Sequence, residues 1–308
     1  MANPMFQFMP SRPRPGFSSF LLGLGLIAFG LVGSTIPISQ AADGTARGHL
    51  VIIGGGEVPA EVTQRFIELA GGTKAARIVV IPMASDEPEK SGQSQVESFH
   101  KIGVQDASSL IIAREHANDE SILAALDKAT GVYFTGGDQS RLAANLIGTG
   151  AEKKLHSLYY ERGGVVAGTS AGAAIMSEVM ITGSQSLHTN SNDGFTTIDK
   201  GNVVTARGLG MVKNAIIDQH FIARKRQNRL FGLVLEHPKL LGIGIDEGTA
   251  IVVQPGGMFD VIGNGSVMIF DARSASGIKP AVGNGRLSGR NIRTHLLTAG
   301  DQFDPRAR

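Results

Sequence analysis

Beyond Ala42, short apolar runs alternate with longer stretches in which apolar residues return every third or fourth position. His49 to Ile53 reads as a strand ending in Gly54-Gly55-Gly56, and Glu61 to Ala70 as a helix. Arg77 to Ile81 is a second strand closed by Pro82, followed by a helix at Gln93 to Ile102 and a strand at Leu110 to Ala113. A helix at Glu120 to Lys128 precedes the strand Gly131 to Phe134, which runs into Thr135-Gly136-Gly137-Asp138-Gln139. Helices at Ser140 to Ile147 and Glu152 to Arg162 then feed a buried strand at Gly164 to Ala167. This alternation predicts an α/β fold, a mostly parallel sheet with helices on both faces. Ligands of such sheets sit beyond the carboxyl ends of the strands, which brings Gly54-Gly55-Gly56, Gly137-Asp138-Gln139 and Ser170 to one rim.

The second half keeps the pattern and then loses it. Ala171 to Met176 is expected as a helix, and Thr182 to Asp199, rich in Ser, Thr, Asn and Gly, as a surface loop. The apolar run at Ala215 to Ile217 delivers Asp218-Gln219-His220, and Leu241 to Ile245 ends in Asp246-Glu247. Thr249 to Gln254, Met258 to Ile262 and Ser266 to Phe270 read as short antiparallel strands on a sheet edge. Pro280 to Arg308 is polar and basic, and residues 286–308 are expected as a loosely held tail after a domain spanning 42–285.

The first 41 residues belong to neither part. Arg12 and Arg14 precede an apolar centre from Phe20 to Val32, and Ser39-Gln40-Ala41 supplies small residues for cleavage. That is the form of a signal peptide removed after Ala41, with Ala42 as the second choice, and a secreted or periplasmic product that no longer touches a membrane. Interrupted by glycine, the apolar centre is short for a membrane span. The chain holds 29 Lys and Arg against 27 Asp and Glu, and losing Arg12 and Arg14 leaves it formally neutral. Nothing in that balance points to nucleic acid. With no Cys, disulfides, thiolate metal sites and a Cys nucleophile are excluded.

The chemistry gathers at strand ends. Gly168-Thr169-Ser170-Ala171-Gly172 has the G-x-S-x-G form of a nucleophile elbow between a strand and a helix. Its candidate oxyanion donors are the backbone N–H groups of Gly137 and Ala171. Ser170, His220 and Glu247 supply a nucleophile, a base and an orienting carboxylate, each at a strand end. Asp246 competes with Glu247, because a strand alternates faces and only one of the two can point at His220. Arg224, Arg226 and Arg229 lie on an expected helix after His220 and form either a solvated basic face or a carboxylate-binding cluster. Other histidines compete poorly, His188 being alone in the polar loop. No nucleotide fingerprint is present: Pro59 stands where the G-x-G-x-x-G register needs its third glycine. Close backbone approach to a substrate or oxyanion accounts better for Gly54-Gly55-Gly56. No His pair has metal-ligand spacing, and nothing calls for a cofactor.

The blocks GTSAGA, TGGDQ at Thr135 to Gln139, DQHF at Asp218 to Phe221 with the arginines after it, and GIGIDE at Gly242 to Glu247 together resemble the cyanophycinases. These belong to the serine peptidase family that also contains aspartyl dipeptidase. The resemblance covers about residues 48 to 270. It implies a class I glutamine amidotransferase-like fold with Ser170 as nucleophile, His220 as general base and Glu247 orienting it. It further implies that Gln139, Asp218, Gln219, Arg224, Arg226 and Arg229 line the substrate cleft. The substrate would be cyanophycin, a poly-aspartate backbone carrying arginine on its side chains, cut to β-aspartyl-arginine dipeptides, and the family suggests a homodimer. Lys225, Gln227 and Asn228 depart from the small residues expected between the arginines. A related peptidase acting on other aspartyl or isoaspartyl peptides, and a silent binding protein, are the alternatives; the intact Ser, His and Glu set argues against the last.

Overall fold

The computed structural model describes residues 46–187, 195–280, 282 and 285–307. The expected signal segment and His188 lie outside the described residues. The chain divides between Ala41 and Ala42 into two units, and the second holds every element below.

Its first half runs β1 (His49–Ile53), α1 (Ala60–Leu69), α2 (Gly72–Ala75), β2 (Arg77–Ile81), α3 (Pro88–Ile102), β3 (Asp106–Ser109), α4 (Glu120–Lys128) and β4 (Gly131–Phe134). Then come α5 (Gln139–Leu146), α6 (Gly150–His156) with a π-helical extension, β5 (Val165–Thr169) and α7 (Ala171–Ala174). The second half runs β6 (Val179–Gln185), β7 (Val203–Arg207), β8 (Ala215–Gln219), α8 (Gln227–Glu236), β9 (Leu241–Ile245), β10 (Thr249–Val253), β11 (Phe259–Gly263) and β12 (Ser266–Asp271). It closes with β13 (Ser276–Pro280), β14 (Leu287–Arg290), β15 (Arg293–Thr298) and β16 (Gln302–Phe303).

The main sheet has the order β16-β11-β10-β1-β5-β4-β2-β3. It is parallel from β1 to β3 and antiparallel from β10 outward. A second sheet, β15-β12-β9-β8, carries the strands that deliver His220 and Glu247. Alternate residues of β1 separate the two cores, as the two-residue period requires. Val51 and Ile53 pack with Phe66 of α1, Phe99 of α3 and Tyr133. Leu50 and Ile52 pack with Leu142, Leu155, Ile217 and Ile243, so that face is shared between helices and the second sheet. Each such aliphatic side chain taken from water contributes about 1.5–3 kcal/mol.

Three sequence expectations shift, the first being that Thr182 to Gln185, expected at the start of a surface loop, belong to β6 paired with β7. The edge strand is Asp106–Ser109, not Leu110 to Ala113. An edge strand pairs on one side only and tolerates polar residues, whereas Ile112 just beyond it is fully buried. Residues 286–308 are not a loose tail: β15 pairs along the whole of β12, and β16 pairs with β11. Arg273 fastens the end, donating to the carbonyls of Pro305 and Ala307.

Candidate active site

The elbow is built by close backbone packing. A Cβ on Gly168 would stand 2.3 Å from the Gly172 carbonyl oxygen, and one on Gly172 2.5 Å from that of Phe134. Ser170 between them is held at φ 54°, ψ −109°, a conformation that L-residues rarely adopt. Only glycines on both sides let strand and helix meet closely enough to hold that turn.

The end of β1 aligns the three candidate groups across the two sheets. Consecutive carbonyls of Ile53, Gly54 and Gly55 accept the N–H groups of Ser170 at 3.0 Å, His220 at 2.7 Å and Gly248 at 2.9 Å. The Ser170 side chain thereby comes 2.8 Å from His220 Nε2, and His220 Nδ1 stands 2.5 Å from Glu247 Oε1. Glu247 as a carboxylate can only accept, so Nδ1 donates to it and Nε2 is left to accept from the serine hydroxyl. Gly54-Gly55-Gly56 is not spread against a ligand as expected. A Cβ on Gly55 would lie 2.4 Å from Cε1 of His220, and one on Gly56 2.8 Å from Cβ of Glu247. These glycines make room for the His–Glu pair itself.

Asp246 faces the other way. Its Oδ1 accepts the N–H groups of Ile222 at 3.1 Å and Ala223 at 2.9 Å, bracing the turn after His220. That turn occupies Phe221 to Lys225 and takes in Arg224 and Lys225, which were expected on a helix with Arg226 and Arg229. Lys225 takes φ 52°, and α8 begins only at Gln227 with Arg226 as its cap. The three guanidiniums therefore occupy distinct settings. Arg224 is exposed, its Nε 3.8 Å from Glu247 Oε1. Arg226 donates to the carbonyl and side-chain oxygens of Gln219 at 2.8 Å and 2.5 Å. Arg229 is buried and grips Asp218 with both Nε and Nη2.

A cleft of about 280 Å³ opens beside Ser170, and Gly137, Gln139, Gln219, Arg224, Arg226 and Arg229 contribute to its wall. Asp218 departs from the expectation that it lines the cleft, because at 1 % exposure its carboxylate is spent on Arg229. Gln139 is largely buried and donates to the Ile181 carbonyl at 2.7 Å, so it also anchors β6. The Gly136-Gly137 turn passes beside the serine: a Cβ on Gly136 would be 3.5 Å from Ser170 Cβ. Gly137 itself, at φ 136°, has no room for a side chain against the Ala84 carbonyl. Ala171 opens α7, where no preceding helical turn supplies an acceptor for its N–H. Among the described residues no group of three or more His, Asp or Glu side chains is placed to hold a metal ion.

Electrostatics favour a neutral imidazole. Burial pushes the pKa of His220 below its ordinary 6.5, and the Arg224 and Arg226 charges push the same way against the Glu247 hydrogen bond. Burial and the neighbouring Arg229 charge lower Arg226 to about 10. A base must be unprotonated to accept a proton, so turnover of a small neutral ester should hold through neutral pH and fall only as pH drops through the lowered value. Arg224→Gln removes one cause of the lowering and should move that acid limb upward, whereas Arg224→Lys should leave it in place. Limbs that coincide for Gln and the parent would show that Arg224 exerts no field at the imidazole.

A family model described as peptidase family S51 matches residues 50–261. A cyanophycinase of Synechococcus elongatus is 37% identical over 266 residues, covering 84% of this chain and 80% of its own. One from Trichormus variabilis is 38% identical over 262 residues, with 82% and 84% covered. Among solved structures, a peptidase from an acI-B1 actinobacterium superposes with TM-score 0.56 at 25% identity, over 84% of this chain and 98% of that one. A putative peptidase E from Listeria monocytogenes gives 0.50 at 19% identity, over 70% and 98%, and bears on the fold alone.

Proposed function

The chain belongs to peptidase family S51 and is a serine-type peptidase of class I glutamine amidotransferase-like fold; from that premise we propose that it hydrolyses cyanophycin through Ser170, His220 and Glu247. The observation that carries the reading is the hydrogen-bonded line from Ser170 through His220 to Glu247 at the mouth of an arginine-walled cleft. Ser170 Oγ attacks a backbone carbonyl of the poly-aspartate chain while its proton passes to His220 Nε2. The N–H groups of Gly137 and Ala171 take the developing oxyanion. The imidazolium, held by Glu247, returns the proton to the departing amine and leaves an aspartyl ester on Ser170. Water, deprotonated by the same imidazole, then releases the acyl group as a β-aspartyl-arginine unit. Arg224 and Arg226, with Gln139 and Gln219, hold the polymer, since a guanidinium can grip both oxygens of a carboxylate, while Arg229, its fork on Asp218, backs the cleft wall.

The test is direct. Residues 42–308 incubated with insoluble cyanophycin should clear the suspension and release aspartyl-arginine dipeptide, while unbranched poly-aspartate stays intact. Attack on poly-aspartate but not cyanophycin would favour the second reading, a peptidase of other aspartyl or isoaspartyl peptides. One observation speaks for it: Asp218, the acid expected to meet the substrate, is sealed against Arg229.

The form of the first 41 residues supports export, which would bring the enzyme to polymer released by lysed cells. The secreted protein should begin at Ala42, and an intact Met1 on membrane-bound material would contradict this.

A further inference from the structure

Asp138 stands in the wall of the cleft and has no role in the relay. Its backbone is fixed from both sides: its N–H donates to the Ala84 carbonyl at 2.8 Å, and its Oδ1 accepts the N–H of Ser140 at 2.7 Å, capping α5. The side chain is exposed, and among the described residues Oδ2 has no ion-pair partner. One turn along, Arg141 could neutralise it, but Arg141 is drawn to Asp86 at 2.5 Å and to the Ser85 carbonyl at 3.2 Å. Nor is Asp138 paired with the arginines of the cleft. There Arg229 has Asp218, Arg226 has Gln219, and Arg224 lies beside Glu247. Asp138 is thus the one carboxylate among the described residues of that wall, and it is unneutralised. A ligand carrying only negative charge would gain at the arginines and be repelled here. A ligand that also carries a cation satisfies both the arginines and Asp138.

We propose that Asp138 is a specificity-determining residue that receives the guanidinium of the substrate's arginine branch, in the same cleft as the arginines that hold its carboxylates. This rests on the reading of the cleft as a site for an arginine-bearing aspartyl polymer. The free Oδ2 accepts a charge-assisted hydrogen bond while Oδ1 stays on the helix cap, so binding needs no rearrangement of α5.

Asn and Ser cap helices about as well as Asp, so Asp138→Asn and Asp138→Ser remove the charge and keep the cap. Both variants should melt with the parent and hydrolyse a small uncharged activated ester at the parent rate. Their KM for cyanophycin should rise about tenfold, the loss expected for one charge-assisted bond. Agmatine, a guanidinium cation without a carboxylate, should compete with the ester in the parent and lose that competition in both variants. Parent KM for the polymer in both variants would reduce Asp138 to a helix cap and overturn the proposal. So would agmatine competition that is absent from the parent or equal in all three proteins. A parent enzyme that leaves cyanophycin intact would instead strike the substrate reading, and the agmatine arm would still decide the role of Asp138.

Discussion

Ser170→Ala should lower turnover of both cyanophycin and a small activated ester by on the order of 10⁴-fold or more, with the protein still folded. The reason is local. The hydroxyl lies 2.8 Å from His220 Nε2 and is the attacking group of the proposal. The turn itself is held by backbone contacts, the Ser170 N–H on the Ile53 carbonyl and its carbonyl receiving Ala173 and Ala174 N–H groups. Alanine keeps all of these and adds no atom. His220→Ala should cost as much in rate but also empty the space against which Gly55 is packed, so its melt belongs beside its kinetics. Glu247→Gln should be milder, because the amide can still accept from Nδ1 but no longer stabilises an imidazolium. Near-parent ester hydrolysis by a folded Ser170→Ala protein would remove Ser170 from the chemistry.

The second large effect is on stability. Asp218→Ala should lower it by about 3–5 kcal/mol, the cost of leaving one charge of a buried pair without its partner. Arg229, at 3 % exposure, would be stranded between β8 and the first turn of α8. For a domain of this size such a loss lowers Tm by on the order of 10 °C. Asp218→Leu combined with Arg229→Met should recover much of the melt, since an apolar pair of similar volume removes the stranded charge. If Asp218→Ala weakened polymer binding without any change in Tm, Asp218 would face the substrate after all.

Most of the main sheet was legible because its strands are buried on both faces, so His49–Ile53, Arg77–Ile81 and Gly131–Phe134 read as largely apolar runs. The edge strand Asp106–Ser109 lacked that signal, since only one of its sides is paired. The separation of β8 and β9 into a second sheet was illegible: fully buried strands carry the same pattern whichever sheet they join. At the site, the residue types of Ser170, His220 and Glu247 could be read at their strand ends, and the structure brings the three together. The roles of the glycines could not be read, because proximity of Gly55 to the imidazole depends on contacts 165 positions apart in the chain. The same limit misplaced Asp218, whose partner Arg229 is fixed only once the turn at Phe221 to Lys225 takes in Arg224 and Lys225, which were expected on a helix. Asp246 and Glu247 both lie just beyond β9, and the turn there sends Asp246 to the segment after His220 and Glu247 to His220 itself, which strand alternation alone did not decide.

Titration with a fluorophosphonate decides whether cyanophycin is cut by attack of Ser170. The reagent phosphonylates an activated serine irreversibly, so the labelled peptide identifies the nucleophile by mass. Polymer digestion should fall in proportion to the fraction of protein labelled at Ser170 and vanish at one label per chain. Digestion that persists with Ser170 fully labelled, or inactivation that tracks a label on another residue, would contradict the account.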